Sequence, residues 1–144
     1  DLNNSDIKIL LVDDEPDILE IVGYNLKNEG YKVYTSTNGI EAVKSAKKIM
    51  PDLILLDIMM PEMDGIEACE KIRTIKNLEN TLIAFLTARN EDYSKVAGFD
   101  AGADDYITKP IKPKVLVSKV KSLLRRLKAK KRDRCKYNSR KHYH

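Results

Sequence analysis

The sequence predicts a doubly wound α/β domain, in which a parallel sheet of five strands is flanked by five helices. Short apolar runs, of which 9–12 and 53–56 are the clearest, have the unbroken pattern of strands buried on both faces. Amphipathic segments with helical spacing lie between these runs. Regular alternation of strands and helices is typical of a parallel sheet that is covered by helices on both faces.

The first strand and helix have clear boundaries. The strand 9–12 ends in the three acids of 13–15, and Pro16 follows at the first-turn position that proline favours in helices. Apolar residues then recur with helical spacing at positions 18, 19, 21, 22 and 26. Gly30 ends this helix, as glycine often does.

The second strand and helix are shorter. The segment 31–36 predicts a strand, and the Asn38-Gly39 pair predicts a turn. Apolar residues at 42, 43, 46 and 49 indicate a helix, which Pro51 terminates. The central strand 53–56 then leads directly into Asp57.

The second half of the chain repeats the alternation. A proline and an Asp-Gly turn follow Asp57, and a helix is predicted over about 66–74. The strand 82–87, a helix over 91–100 and a short strand over 106–108 come next. Apolar positions 116, 120, 123, 124 and 127 mark an amphipathic last helix.

Length and composition indicate one soluble globular domain. The chain has 144 residues, of which 42% are hydrophobic and 33% are charged. No apolar run approaches the roughly 18 residues of a membrane span, and the polar segment 1–6 does not resemble a signal peptide. Because Cys69 and Cys135 form no disulfide framework, we expect a cytoplasmic protein without membrane contact.

The charge is segregated along the chain. Residues 128–144 contain eight basic residues and one acid, a net charge of +7, whereas 1–127 contain 18 basic and 21 acidic residues, a net charge of −3. We therefore divide the chain into a folded domain, 1–127, and a basic linker or tail, 128–144. We expect the tail to continue the last helix for a turn or two, then fray and lead to an effector domain. Weak, sequence-independent contact with DNA remains an alternative.

Polar side chains collect where the predicted strands end. Asp13 and Asp14, Asp57, Thr87 and Lys109 should converge, because parallel strands have their carboxyl ends at one edge of the sheet. Three neighbouring carboxylates repel one another, and a divalent cation would remove this repulsion. Hard oxygen ligands of this kind favour Mg²⁺.

This set of groups predicts phosphoryl chemistry. A metal, the Lys109 ammonium and the Thr87 hydroxyl together would bind phosphoryl oxygens. A carboxylate between them can act as a nucleophile and form an aspartyl-phosphate. Helix capping would explain any one acid or the threonine, but it explains neither the lysine nor the paired Asp13 and Asp14.

Four segments in order resemble the receiver domain of two-component response regulators, of the OmpR/PhoB-like type. They are Ile-Leu-Leu-Val-Asp-Asp-Glu at 9–15, Asp-Ile-Met-Met-Pro-Glu-Met-Asp-Gly at 57–65, Leu-Thr-Ala-Arg at 86–89 and Gly-Ala-Asp-Asp-Tyr-Ile-Thr-Lys-Pro at 102–110. The resemblance covers about residues 7–127. It implies the strand order 2-1-3-4-5 of flavodoxin and CheY.

The resemblance also implies the acceptor and the metal ligands. Asp57 would be the phospho-acceptor. Asp14, Asp57 and the backbone carbonyl of Met59 would bind Mg²⁺, and Asp13 would do so directly or through water.

A second set of roles concerns the phosphoryl group. Thr87, with Ala88 beside it, and Lys109 would hold the phosphoryl oxygens. Tyr106 would be the rotameric switch partner of Thr87.

The implied partners are a sensor histidine kinase and a second copy of the chain. The domain would catalyse its own phosphorylation and slow dephosphorylation, and would otherwise not be an enzyme. A phosphorylation-dependent homodimer is expected through the predicted helix 91–100, the last strand and the last helix. The charged residues of this face are Lys95, Asp100, Asp104, Asp105, Lys121 and Arg125. We expect a weak, salt-sensitive dimer, because Val115 stands where the subfamily usually has an acid.

Two other classes of protein share part of this pattern but require different residues after the first strand. An FMN-binding flavodoxin needs a hydroxyl- and glycine-rich loop after the first strand, where this chain has the acidic segment 13–17. A haloacid-dehalogenase-type phosphatase needs an Asp-x-Asp pattern there, which 13–15 lacks. Within the receiver interpretation, the expected output is transcription regulation through a DNA-binding domain outside this chain. A stand-alone receiver that signals by protein contact is the alternative.

Overall fold

The apolar runs form the strands of one parallel sheet. The computed structural model describes residues 3–88 and 100–141, and for 130–141 it describes the backbone. The strands are β1 (Lys8–Val12), β2 (Lys32–Ser36), β3 (Leu53–Asp57), β4 (Leu82–Ala88) and β5 (Asp105–Lys109). Their order is β2-β1-β3-β4-β5, and every neighbouring pair is parallel, which confirms the predicted fold class and topology.

Four α-helices connect or follow the described strands. They are α1 (Pro16–Asn28), α2 (Gly39–Ile49), α3 (Gly65–Arg73) and α4 (Pro113–Lys141), and a short 3-10 turn spans Asn4–Asp6. The helix predicted over 91–100 lies outside the described residues except for Asp100, which is helical. None of the helices in the described part of the chain has an apolar stretch long enough to cross a bilayer.

Side-chain oxygens cap the starts of two helices. The Asn38 side chain accepts a hydrogen bond from the backbone N–H of Glu41 at 2.9 Å, and the Asp64 side chain accepts one from that of Glu67 at 2.8 Å. In both helices a glycine follows the cap directly. The residues that predict turns in the sequence therefore also begin α2 and α3.

Alternation along the strands divides the core between the two faces of the sheet. Successive side chains point to opposite faces, so Ile9 and Leu11 face one way and Leu10 and Val12 the other. Residues of α1 and α4 pack on the first face, and residues of α2 and α3 pack on the second. Because both faces are covered, the central strands need the unbroken apolar runs that the sequence contains.

The last helix is longer than expected. We predicted that it would continue beyond Leu127 for a turn or two, but α4 continues to Lys141. The segment 128–141 contains no proline or glycine and is rich in lysine and arginine, which have high helix propensity. Local propensity therefore extends the helix past the point where its apolar periodicity ends.

Candidate functional site

The sheet topology brings the predicted site residues to one edge. Asp57 is the last residue of β3, Asp13 directly follows β1, and Lys109 is the last residue of β5. In the register of β4 and β5, Ala88 lies opposite Lys109, and Thr87 precedes it along β4. The carboxyl ends of four strands thus supply the groups.

A close backbone contact supports the acceptor position. A Cβ on Gly65 would lie 2.2 Å from the carbonyl oxygen of Asp57, a distance that no side chain can occupy. The Gly65 N–H donates a hydrogen bond to the carbonyl oxygen of Ile58 at 2.9 Å. The first turn of α3 can therefore lie directly against the end of β3 only because this residue is glycine.

Two further carboxylates converge beside that of Asp57. Asp13, Asp14 and Asp57 each offer an oxygen within 4.8 Å of the others, and Asp13 and Asp57 are buried whereas Asp14 is exposed. Such a cluster is unfavourable unless a cation balances it. It is also open to solvent on the side of Asp14, so a hydrated ion has access to it.

Lys109 is the cationic side chain within this cluster. Its Nζ lies 3.1 Å from Asp13 Oδ2, 3.4 Å from Asp57 Oδ1 and 3.5 Å from Glu15 Oε1. Within the described part of the chain, this ammonium therefore faces three carboxylates in addition to nearby Asp14, and the charges of these five groups sum to a negative value.

The buried Asp13 carboxylate fits a divalent cation. Its Oδ1 accepts a hydrogen bond from the Glu15 N–H at 2.9 Å. Its Oδ2 lies 3.1 Å from Lys109 Nζ and accepts no hydrogen bond from any other described residue. This buried oxygen therefore keeps acceptor capacity for a cation, and the surrounding carboxylate oxygens are of the kind that Mg²⁺ prefers.

The same cluster shifts the pKa of the acceptor. Burial, and then the negative charge of Asp13, raises the pKa of Asp57 from 3.8 to about 7, against the opposing effect of Lys109. Burial lowers the pKa of Lys109, but the carboxylates of Asp57 and Asp13 outweigh it and hold that pKa above its ordinary value. Lys109 therefore stays charged, whereas Asp57 without a cation is held partly protonated at neutral pH.

The predicted phosphoryl-binding residues line one small cavity. The cavity has a volume of about 180 Å³, and its lining residues are Glu15, Asp57, Met59, Leu86, Thr87, Ala88 and Lys109. Thr87 is buried, and its Oγ1 lies 3.4 Å from the carbonyl oxygen of Ala88, to which it donates. The cavity thus unites the predicted acceptor with a hydroxyl and an ammonium.

Tyr106 lies inside the sheet's second face. It is 7% exposed, and its ring centroid lies 5.7 Å from that of Phe85 on the adjacent strand. Lys119 Nζ donates a hydrogen bond to the Tyr106 carbonyl oxygen at 2.9 Å. The ring is thus packed in the core beside β4, the strand that also carries Thr87.

The residues predicted for the dimer face do not share one surface. Asp105 and Arg125 line an open groove along α4. Lys121 instead points toward α1, where its Nζ lies 2.6 Å from Glu29 Oε1. Asp104 forms an internal ion pair with Arg73 at 3.0 Å.

The last two residues predicted for the dimer face belong to the predicted helix 91–100. Asp100 is exposed and lies beside Ile66 and Glu70. Lys95 lies outside the described residues.

Two residues had no assigned role in the sequence analysis. Glu15 reaches Lys109, and its position as a third acid after the first strand was the signal available for it. Arg73 donates hydrogen bonds to several backbone carbonyls. It gave no sequence signal, because one arginine at the end of a helix is common and its partners are distant in the chain.

The sequence of the chain matches a known protein family and a curated relative. The family model for the response regulator receiver domain matches residues 9–121. The chain is 48% identical over 119 residues to the alkaline phosphatase synthesis transcriptional regulatory protein PhoP of Bacillus subtilis, a match that covers 83% of this chain and 49% of that protein. The chain thus spans about half the length of this curated relative.

Solved structures share the fold at substantial identity. A putative response regulator from Chloroflexus aurantiacus is 36% identical, with a TM-score of 0.77 over 82% of this chain and 97% of that chain. The receiver domain of a sensor histidine kinase from Pseudomonas aeruginosa is 33% identical, with a TM-score of 0.73 over 83% of this chain and 95% of that chain. That receiver domain was solved with a magnesium ion coordinated in its active-site cleft.

Proposed function

The chain belongs to the receiver-domain family of two-component response regulators, and on this premise we propose that Asp57 accepts a phosphoryl group from a sensor histidine kinase. The observation that carries the proposal is the setting of Asp57. Its carboxylate is buried at the end of β3, beside two further aspartates and 3.4 Å from Lys109 Nζ. A nucleophile in this position has a counter-charge for the incoming phosphoryl oxygens within reach.

Three residues of the chain have direct roles in the proposed phosphoryl transfer. An Asp57 carboxylate oxygen forms the new P–O bond while the P–N bond of the phosphohistidine breaks, and the leaving imidazole keeps the electron pair. The Lys109 ammonium neutralises charge on the phosphoryl oxygens, and the Thr87 hydroxyl can donate a hydrogen bond to one of them. Apart from this self-catalysed transfer and slow hydrolysis, we propose no enzymatic activity.

We assign Mg²⁺ as the cation of the acidic cluster. Asp13, Asp14 and Asp57, with the backbone carbonyl of Met59, would hold it. When bound, Mg²⁺ supplies positive charge that removes the carboxylate repulsion and stabilises the transferring phosphoryl group. The magnesium ion in the cleft of the Pseudomonas aeruginosa receiver domain supports this assignment.

The proposed output is regulation of transcription. The Bacillus subtilis relative is a transcriptional regulatory protein, and this chain spans about half of its length. We propose that 1–127 is the receiver and that 128–144 connects it to an effector domain that recognises specific DNA sequences. A stand-alone receiver lacks the support of this relative. The free, buried thiol of Cys69 is consistent with a cytoplasmic setting.

Uptake of one labile phosphate tests the proposed function. Incubation of the chain with acetyl phosphate and Mg²⁺ should add a single phosphate by intact mass, and hydroxylamine should remove it because acyl phosphates are labile to this nucleophile. EDTA should prevent the uptake. No uptake with Mg²⁺, or a modification that resists hydroxylamine, would contradict an aspartyl-phosphate.

Asp14→Ala should abolish phosphorylation without unfolding the domain. Asp14 is the exposed member of the three-carboxylate cluster, so its removal takes away a metal ligand but leaves the packed core unchanged. The variant should fail to bind Mg²⁺, and without metal it should be at least as stable as the wild type, because one source of carboxylate repulsion is gone. Calorimetric titration with Mg²⁺ and urea unfolding measure the two effects. A clear loss of metal-free stability would contradict the metal-ligand role.

Phosphorylation should favour a weak dimer through the α4 groove. Asp105 and Lys119 form an ion pair at 3.5 Å along this groove, Arg125 lies beside them, and opposite charges on one surface can exchange partners across a two-fold axis. We expect the phosphorylated chain to dimerise at roughly a hundred micromolar in low salt and to dissociate in high salt. Sedimentation velocity measures this shift. Arg125→Ala should weaken the dimer, whereas Lys121→Ala should not, because Lys121 faces α1. A monomer at both salt concentrations would refute the dimer.

A further inference from the structure

The part of α4 that follows residue 127 combines a regular backbone with concentrated charge. We call this part, residues 128–141, the basic extension. It contains the eight basic residues of the tail and one acid, Asp133. The rest of the chain up to residue 127 has a net charge of −3. Net positive charge is thus concentrated in the basic extension, whereas the part of the chain that precedes it is net negative.

The helical backbone distinguishes the basic extension from a flexible charged tail. Helix α4 continues without interruption from Pro113 to Lys141. At 1.5 Å per residue, the extension is roughly 20 Å long, about the length of six base pairs of duplex DNA. Because its backbone is already ordered, binding need not fix those backbone torsions, an ordering cost that a disordered tail would have to meet.

The residue pattern of the basic extension fits a polyanion better than an apolar partner. Its apolar and aromatic residues, Ala129, Cys135 and Tyr137, do not recur at the three- and four-residue spacing of an apolar stripe. A coiled-coil partner or a membrane surface would require such a stripe. The basic positions, by contrast, occur on all sides of an ideal helix, an arrangement that favours contact with a ligand of dense, repeating negative charge.

We propose that the basic extension binds nucleic acid without sequence preference, and that its ligand is the phosphate backbone of duplex DNA. Lysine and arginine neutralise phosphates and release condensed counterions, so binding should be strong at low salt and weak at high salt. Nothing in this mechanism requires phosphorylation of Asp57. Within a longer regulator, the extension would hold the protein near DNA while another domain reads the sequence.

The test compares two charge variants of the full chain. In the extension variant Lys130, Lys131, Arg132 and Arg134 become glutamine, and in the control variant the exposed Lys44, Lys47, Lys48 and Lys76 become glutamine. Both variants have the same net charge, and glutamine keeps helix propensity. Fluorescence anisotropy with a labelled duplex of about 20 base pairs and arbitrary sequence measures affinity, and circular dichroism checks that both variants are folded.

The proposal predicts a specific pattern of affinities. With about four phosphates contacted, the wild-type affinity should fall roughly 100-fold between 50 and 200 mM salt. At the lower salt concentration, the extension variant should lose at least about tenfold in affinity and the control variant no more than about threefold. A second duplex of unrelated sequence should bind equally well.

Each other outcome overturns the proposal. Equal loss of affinity in the two variants would show that binding depends on the net charge of the whole chain and not on the basic extension. If the wild-type chain does not bind duplex DNA at 50 mM salt, the extension has no DNA-binding activity. Tight binding to only one of the two duplexes would show that the chain recognises bases and not the phosphate backbone. Binding to phosphatidylserine vesicles without binding to DNA would assign the extension to a membrane surface.

Discussion

Asp57→Asn is expected to abolish phosphorylation by acetyl phosphate and by a histidine kinase. Asparagine retains the shape of the side chain and its contact with Lys109, but its amide lacks the nucleophilic carboxylate oxygen that forms the new P–O bond. Intact mass after incubation with Mg²⁺ and phosphodonor measures the loss. Glu20→Gln, which removes an exposed carboxylate on α1, is the matched control and should be phosphorylated like the wild type. Equal uptake by Asp57→Asn and the wild type would refute the acceptor assignment.

The same substitution should stabilise the metal-free domain at alkaline pH. The pKa of Asp57 is about 7 in the folded state and near 3.8 when the chain is unfolded, so the folded state retains a proton that the unfolded state releases. Stability from this group is therefore present below about pH 4 and is lost as the pH rises to about 7. The full loss is at most roughly 4 kcal/mol, because each pKa unit corresponds to about 1.4 kcal/mol.

The difference between wild type and Asp57→Asn isolates this contribution from other titrating groups. Urea unfolding without metal should give a difference in the free energy of unfolding that grows between pH 4.5 and pH 8, with the asparagine variant more stable at pH 8. Mg²⁺ should reduce the difference, because its charge compensates the Asp57 carboxylate. Glu20→Gln should show no such pH trend. A difference between Asp57→Asn and wild type that does not change with pH would contradict the raised pKa.

The sequence predicts the site because the local pattern determines where each strand ends. The apolar run 53–56 requires burial on both faces, and a parallel sheet places the following Asp57 at the same edge as the ends of β1 and β5. Asp13 and Lys109 reach this edge for the same reason. Residue type and strand period were therefore enough to predict a contact between side chains 96 positions apart in the chain.

The same reasoning failed where the rotation of a helix decides the outcome. Lys121 and Arg125 are four residues apart and were assigned to one face, but α4 directs Lys121 toward Glu29 and Arg125 toward the groove with Asp105. How a helix packs against the sheet determines which of its charged side chains contacts a neighbouring helix. The apolar periodicity of the sequence does not specify these contacts between charged side chains. Asp104 likewise has a partner that the sequence pattern did not predict, because Arg73 is 31 positions away in the chain.

Arg73→Ala should destabilise the domain strongly, although the side chain is charged and partly exposed. The guanidinium donates to the carbonyl oxygen of Gly102 through Nε at 3.0 Å and through Nη2 at 2.6 Å, and to Asp104 Oδ2 at 3.0 Å. Its Nη1 donates to carbonyl oxygens of the loop before β4, those of Leu78, Glu79 and Thr81. One side chain thus joins the end of α3 to two separate segments of backbone.

Removal of this side chain leaves carbonyls and a carboxylate without their donors. Unsatisfied groups of this kind each cost about 1–3 kcal/mol when buried, and partial exposure of the Arg73 and Asp104 side chains, 17% and 28%, reduces the penalty. We expect a loss of about 2–4 kcal/mol in the free energy of unfolding by urea. Arg73→Lys should recover only part of it, because a lysine cannot reproduce the guanidinium fork.

A substitution at Gly102 provides a second test of the Arg73 prediction. The φ of Gly102, +104°, disfavours any other residue, and a Cβ there would lie 3.0 Å from Arg73 Nε. Gly102→Ala should therefore be destabilising in the wild type and less so in an Arg73→Ala background, where the contact is absent and only the backbone strain remains. Lys71→Ala, an exposed residue in the same helical turn, is the control and should change stability by less than about 0.5 kcal/mol. If Arg73→Ala is as mild as Lys71→Ala, the guanidinium network does not stabilise the fold.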